Sequence, residues 1–88
     1  MTPPTFDRAA TAREIRAKVL DLAKARGIRA RDLRDDEVIP ETGLLDSAGI
    51  MELIVWYETR FDLEIDQGDL TIENFGTVKA MVDYLGRR

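Results

Sequence analysis

The sequence predicts an all-α fold, a bundle of three full helices and one short one with a long connection after the first. Two observations carry that prediction. Apolar residues recur at helical spacing in separate stretches, each flanked by residues that open or close helices. Between the first two stretches runs a segment of nearly twenty residues, from Ile28 to Asp46, that keeps no period and contains Pro40 and Gly43.

The first helix is expected to open at Thr11, because Thr11-Ala12-Arg13-Glu14 fits a capping box with the carboxylate reaching back over the first turn. Ile15, Val19 and Leu22 form its stripe, with Ala12 and Ala23 alongside. Arg26-Gly27 supplies the cation and the left-handed glycine that close such a helix. The long segment that follows is expected to hide a turn of helix near Ala30 to Leu33 or to serve as a functional loop. Its Leu33, Val38, Ile39, Leu44 and Leu45 are expected to pack against the helices.

The second helix is expected from Ser47 to Phe61, with Ile50, Ile54, Tyr57 and Phe61 on the core face and Leu53 at its edge. Met51, Val55 and Trp56 lie off that face. Cover from the loop and a neighbouring helix is the favoured account of this excess, and an exposed patch for partners is the alternative. Trp56 is expected to cap one end of the core or to be shared with the loop. Asp66 to Leu70 fits a short third helix or a 3₁₀ turn, and Thr71 to Gly76 reads as a connector holding Phe75. Thr77 opens the last helix, whose face is Val78, Met81, Val82 and Leu85, closed by Gly86 and the pair Arg87-Arg88.

With 88 residues, the chain is expected to hold a flexible lead-in over 1–10 and a single domain over 11–86. The longest unbroken apolar run, Leu53 to Tyr57, is too short to span a bilayer. The start carries neither the basic head nor the apolar run of a secretory signal, so a cytoplasmic protein is the expectation. The chain has no cysteine and no histidine, which removes disulfides, Cys/His zinc sites, thiol catalysis and any Ser/His pair. Residues 1–34 hold nine basic and four acidic side chains, and residues 35–86 hold two basic and thirteen acidic. That acidic half disfavours nucleic acid and favours basic protein surfaces, unless the two halves attract each other across the fold.

Ser47 is the only serine. Without histidine, and with Lys18, Lys24 and Lys79 in the outer helices, nothing in the sequence activates its hydroxyl as a nucleophile. The plain account of Asp46-Ser47 is a helix N-cap. Two details strain it: Ile50 cannot complete a capping box, and Gly49 costs about 1 kcal/mol of helix propensity in the first turn. Something is expected to need space beside the serine. A phosphate also sits favourably at a helix N-terminus, although the charge of Asp46 opposes one on Ser47.

The stretch Leu44-Leu45-Asp46-Ser47, then Met51-Glu52-Leu53 and Glu58-Thr59-Arg60-Phe61-Asp62-Leu63-Glu64-Ile65, resembles the acyl carrier protein family, which includes peptidyl and aminoacyl carriers. The likeness extends through the helix from Thr77 to Leu85. It implies a four-helix bundle with a long first loop and a short third helix. It further implies that the chain is a carrier and substrate of other enzymes, not an enzyme itself.

By the resemblance, Ser47 receives 4′-phosphopantetheine from coenzyme A through a phosphopantetheinyl transferase that also recognises Asp46. Acyl or aminoacyl cargo then rides as a thioester on the arm, loaded by a ligase and passed to downstream transferases or synthases with basic docking surfaces. Ala48, Met51, Glu52, Val55, Glu58 and Thr59 fall where family members meet their partners. The chain departs from the pattern at Ala48, where the family usually has leucine, and Thr59 replaces a common acidic residue. A stand-alone, monomeric carrier in fatty-acid, polyketide, lipid-modifying or amino-acid-activating metabolism is one expectation. A helical adaptor that binds partners without a prosthetic group is the other.

Overall fold

The computed structural model describes residues 7–29 and 31–87, and all regular structure among them is helical. In order come α1 (Arg8–Ala25), α2 (Ile39–Thr42), α3 (Ser47–Arg60), a 3₁₀ turn (Gln67–Asp69), α4 (Ile72–Phe75) and α5 (Val78–Gly86). α1 packs on α3 and α5, and α4 packs on α5. This is the expected bundle, with α2 as one added turn inside the long first connection. Residues 1–6 of the expected lead-in, Ala30 and Arg88 lie outside the described residues.

Three element boundaries differ from expectation. Asp7, not Thr11, caps α1: its carboxylate accepts the Ala10 N–H at 3.0 Å. The helix-forming Arg8, Ala9 and Ala10 add a turn, Thr11 falls inside it, and Glu14 pairs with Arg60 of α3 instead of closing a box. Residues 31–33 are irregular, and the turn hidden in the long connection is α2, whose first turn accepts Pro40 because its N–H would have no helical partner there. Thr71 to Gly76 is no mere connector: Thr71 caps α4 by accepting the Asn74 N–H at 3.3 Å.

The two long helices end alike. After α1, Gly27 is left-handed (φ 79°), and the Ile28 and Gly27 N–H groups return to the Ala23 and Lys24 carbonyls at 3.0 Å each. After α3, Asp62 takes that conformation (φ 54°), and Leu63 N–H returns to the Glu58 carbonyl at 3.0 Å. The first is a Schellman closure and the second shares its longer return bond, one on the residue type that adopts the shape freely and one on a residue that does so at a steric cost.

The core is built from Ile15 and Val19 of α1, Leu53 and Tyr57 of α3, and Val78 and Met81 of α5. Leu33, Ile39, Leu44 and Leu45 of the long connection are buried with them, as expected, whereas Val38 is only half-buried. Leu53, expected at the edge of the α3 stripe, sits at its centre, while Ile50 and Phe61 are only half-buried. Ile39 N–H donates to the Gly76 carbonyl at 2.7 Å, and Lys79 N–H donates to the Asp35 carbonyl at 2.9 Å, fixing the connection to the start of α5. A Cβ on Gly76 would stand 2.5 Å from the Ile72 carbonyl oxygen, so this corner requires glycine.

Ion pairs join the basic and acidic halves: Arg8 to Asp83, Arg16 to Asp35, and Arg26 to Asp46 and Glu52. Part of the charge asymmetry is therefore spent inside the fold.

Candidate functional site

The site is the corner where the long connection enters α3. Thr42 donates its hydroxyl to the Ile39 carbonyl at 2.6 Å and accepts the Leu44 N–H at 3.1 Å, while left-handed Gly43 (φ 77°) turns the chain. Leu44 and Leu45 then enter the core, which leaves Asp46 and Ser47 outside. The two leucines thus serve as an anchor that fixes where the polar pair emerges.

Asp46 is the N-cap of α3, with an extended backbone and a carboxylate that accepts the Gly49 N–H at 2.8 Å. Ser47 is the first helical residue and is exposed, so its hydroxyl is reachable and the capping duty belongs to its neighbour. The space at Gly49 is used within the fold. A Cβ there would stand 3.1 Å from Leu45 Cδ2 and 3.3 Å from the Asp46 carboxylate. The glycine lets the anchoring leucine and the capping carboxylate close against the first turn of α3.

Arg26 is the C-cap of α1, as expected, but sequence reasoning missed its reach to α3. Its Nη2 lies 2.9 Å from Glu52 Oε1, its Nε lies 3.5 Å from Asp46 Oδ1, and its Nη1 lies 3.4 Å from the Leu22 carbonyl. The hydrogen bond to Glu52, with that carboxylate's charge and the charge of Asp46, holds the guanidinium above its ordinary value. Asp46 and Glu52 lie twenty and twenty-six positions after Arg26, so no local pattern marks the contact.

Ala48, Met51, Glu52, Val55 and Thr59 are exposed. The favoured expectation that neighbours cover Met51 and Val55 fails: they are 56% and 57% exposed. Trp56 is half-buried, packs against the core and meets Phe61 edge-on at 5.8 Å, with the Lys18 ammonium 5.9 Å from its ring. Glu58 is half-buried and accepts the Ile65 N–H at 2.9 Å, so its carboxylate also holds the turn after α3. Charge reversal at Glu58 would disturb the turn after α3 as well as the surface. A shallow apolar groove runs between α3 and α4, lined by Ile50, Met51, Ile54 and the exposed Leu70 and Ile72, which the sequence reading gave no surface role.

Ser47 offers an accessible hydroxyl, and the chain holds no histidine to take its proton. Among the described residues no helix is long and apolar enough to cross a membrane.

A family model described as a phosphopantetheine attachment site matches residues 13–85. The chain is 36% identical over 75 residues to aminoacyl carrier protein 2 of Bradyrhizobium diazoefficiens, covering 81% of this chain and 82% of that protein. It is 31% identical over 72 residues to the D-alanyl carrier protein of Streptococcus sanguinis, and 29% identical over 72 residues to that of Streptococcus thermophilus. Each match covers 80% of this chain and 89% of the relative. No significant match was found among solved structures.

Proposed function

The chain belongs to the phosphopantetheine-attachment family of carrier proteins, and from that premise we propose that Ser47 carries the 4′-phosphopantetheine arm. One observation supports this above the others: the only serine is exposed at the first position of α3 while Asp46 takes the capping role. The residues fit the group in two further respects. The serine needs no internal base, since the transferase that brings coenzyme A also handles the proton. The helix N-terminus favours the phosphodiester charge, and Arg26 offsets the charge of Asp46 that opposes it.

When bound, the arm supplies a thiol that holds cargo as a thioester, in a chain that has no cysteine of its own. The cargo we propose is an aminoacyl group, on the ground that the relatives above are named for aminoacyl and D-alanyl cargo. Asp46 serves recognition by the transferase. Ala48, Met51, Glu52, Val55, Glu58 and Thr59 form the surface offered to loading and accepting enzymes, whose basic faces complement Glu52 and Glu58. A second reading, a helical adaptor without an arm, draws on the exposure of Met51 and Val55 alone.

Intact mass after incubation with coenzyme A and a promiscuous phosphopantetheinyl transferase tests the proposal. The wild type should gain one phosphopantetheinyl group, and Ser47→Ala should gain none at unchanged melting temperature. A wild-type mass that stays constant with several transferases would leave the adaptor reading in possession.

A further inference from the structure

The corner beside Ser47 holds a cation that the established role of the fold does not call for. Arg26 reaches from the end of α1 across to α3 and contacts both Asp46 and Glu52, the acids one residue before and five residues after the serine. It is the anchored member of the group: its side chain is 24% exposed, against 70% for Asp46 and 58% for Glu52. Its backbone is fixed by the closure of α1, where Arg26 N–H donates to the Ala23 carbonyl at 3.0 Å. Its guanidinium also lies over the Leu22 carbonyl, at the negative end of that helix. The two carboxylates therefore do not form an open acidic patch. An internal cation already occupies them.

We propose that Arg26 is a specificity-determining residue, which holds Asp46 and Glu52 so that a basic partner engages them fully only by displacing its guanidinium. A lone partner lysine meets acids whose charge is partly answered. A partner with several correctly placed cations can exchange for Arg26 and leave it bound to Leu22 and solvent. The acidic helix then selects by geometry of charge instead of attracting every basic surface. This inference rests on the reading of α3 as the docking helix, and its test separates the two.

The probe is tetralysine, titrated at low salt into the unmodified protein while the backbone amides of residues 46–52 are followed by NMR. Arg26→Gln should tighten binding at those amides about threefold and steepen its salt dependence. Arg26→Lys, which keeps the charge, should stay near the wild type and guards against a folding defect in the first variant. Arg29→Gln changes net charge equally at an exposed position and should leave these amides unaffected. The proposal is overturned if Arg26→Gln does not tighten binding, or if Arg29→Gln tightens it as much. Should the wild type accept no arm at all, the Ser47 reading fails while the titration still decides the role of Arg26.

Discussion

Leu53 and Val55 are two residues apart on one helix, yet the first is 1% exposed and the second 57%. Both are aliphatic, and no neighbour covers the second. The inner face of α3 is committed to the fold: Leu53, Ile54 and Tyr57 are buried, α3 packs on α1, Tyr57 reaches Met81 of α5, and rings continue edge-on from Tyr57 through Phe75 to Tyr84. The outer face holds Met51, Glu52, Val55 and Thr59 at the surface, in line with Ser47. The difference teaches that the apolar content of this helix has two uses, and that only burial separates them.

The strongest way to break the contrast is from the inside. Leu53→Ala removes a side chain from the centre of the core and should cost about 3 kcal/mol, on the order of 15 °C in melting temperature for a domain of this size. Ser47 remains exposed in the folded fraction, so the arm should still be added below the melting transition. A thermal melt with intact mass at low temperature reads both. Loss of modification in the folded variant would mean that the two faces are not separable.

Tyr57→Phe makes a finer cut on the same face. The Tyr57 hydroxyl donates to the Met81 carbonyl at 2.7 Å in a fully buried position, joining α3 to α5. Replacing it leaves the ring packing intact and removes one buried hydrogen bond, for an expected loss of about 1–2 kcal/mol by chemical denaturation. A neutral result would show that packing alone, without this polar link, sets the position of α5.

The sequence made some of this contrast legible and hid the rest for identifiable reasons. The existence and start of α3 follow from its period and from the Asp46-Ser47 cap, and its expected end at Phe61 lies one residue past the observed Arg60. The rotation of its buried stripe did not, because the stripe begins at Gly49, a residue with no apolar side chain to mark it; Gly49, Leu53 and Tyr57 share the buried side. The one-turn helices α2 and α4 are shorter than any period can register, and Pro40 in α2 looks like a breaker although the first turn accepts it. The start of α1 was misplaced because Thr11-x-x-Glu14 matches a capping template that Asp7 lacks. The site residues on α3 were legible from local sequence, whereas Arg26 was not, since its contacts exist only once α1 and α3 are packed.

The smallest stability effect is expected on the outer face, and it bears most directly on function. Val55→Ser exchanges residues of similar helix propensity, so a change in melting temperature would report contacts and not helix formation. With the side chain 57% exposed, the expected change is within 0.5 kcal/mol. On the proposed docking role, transfer of cargo from a loading enzyme to the arm should nevertheless slow, because an apolar contact on the proposed docking surface is replaced by a hydroxyl that must be desolvated. Parallel melts and single-turnover loading assays distinguish the cases. A destabilisation approaching that of Leu53→Ala would place Val55 under cover in solution, and an unchanged loading rate would put the docking surface elsewhere on the molecule.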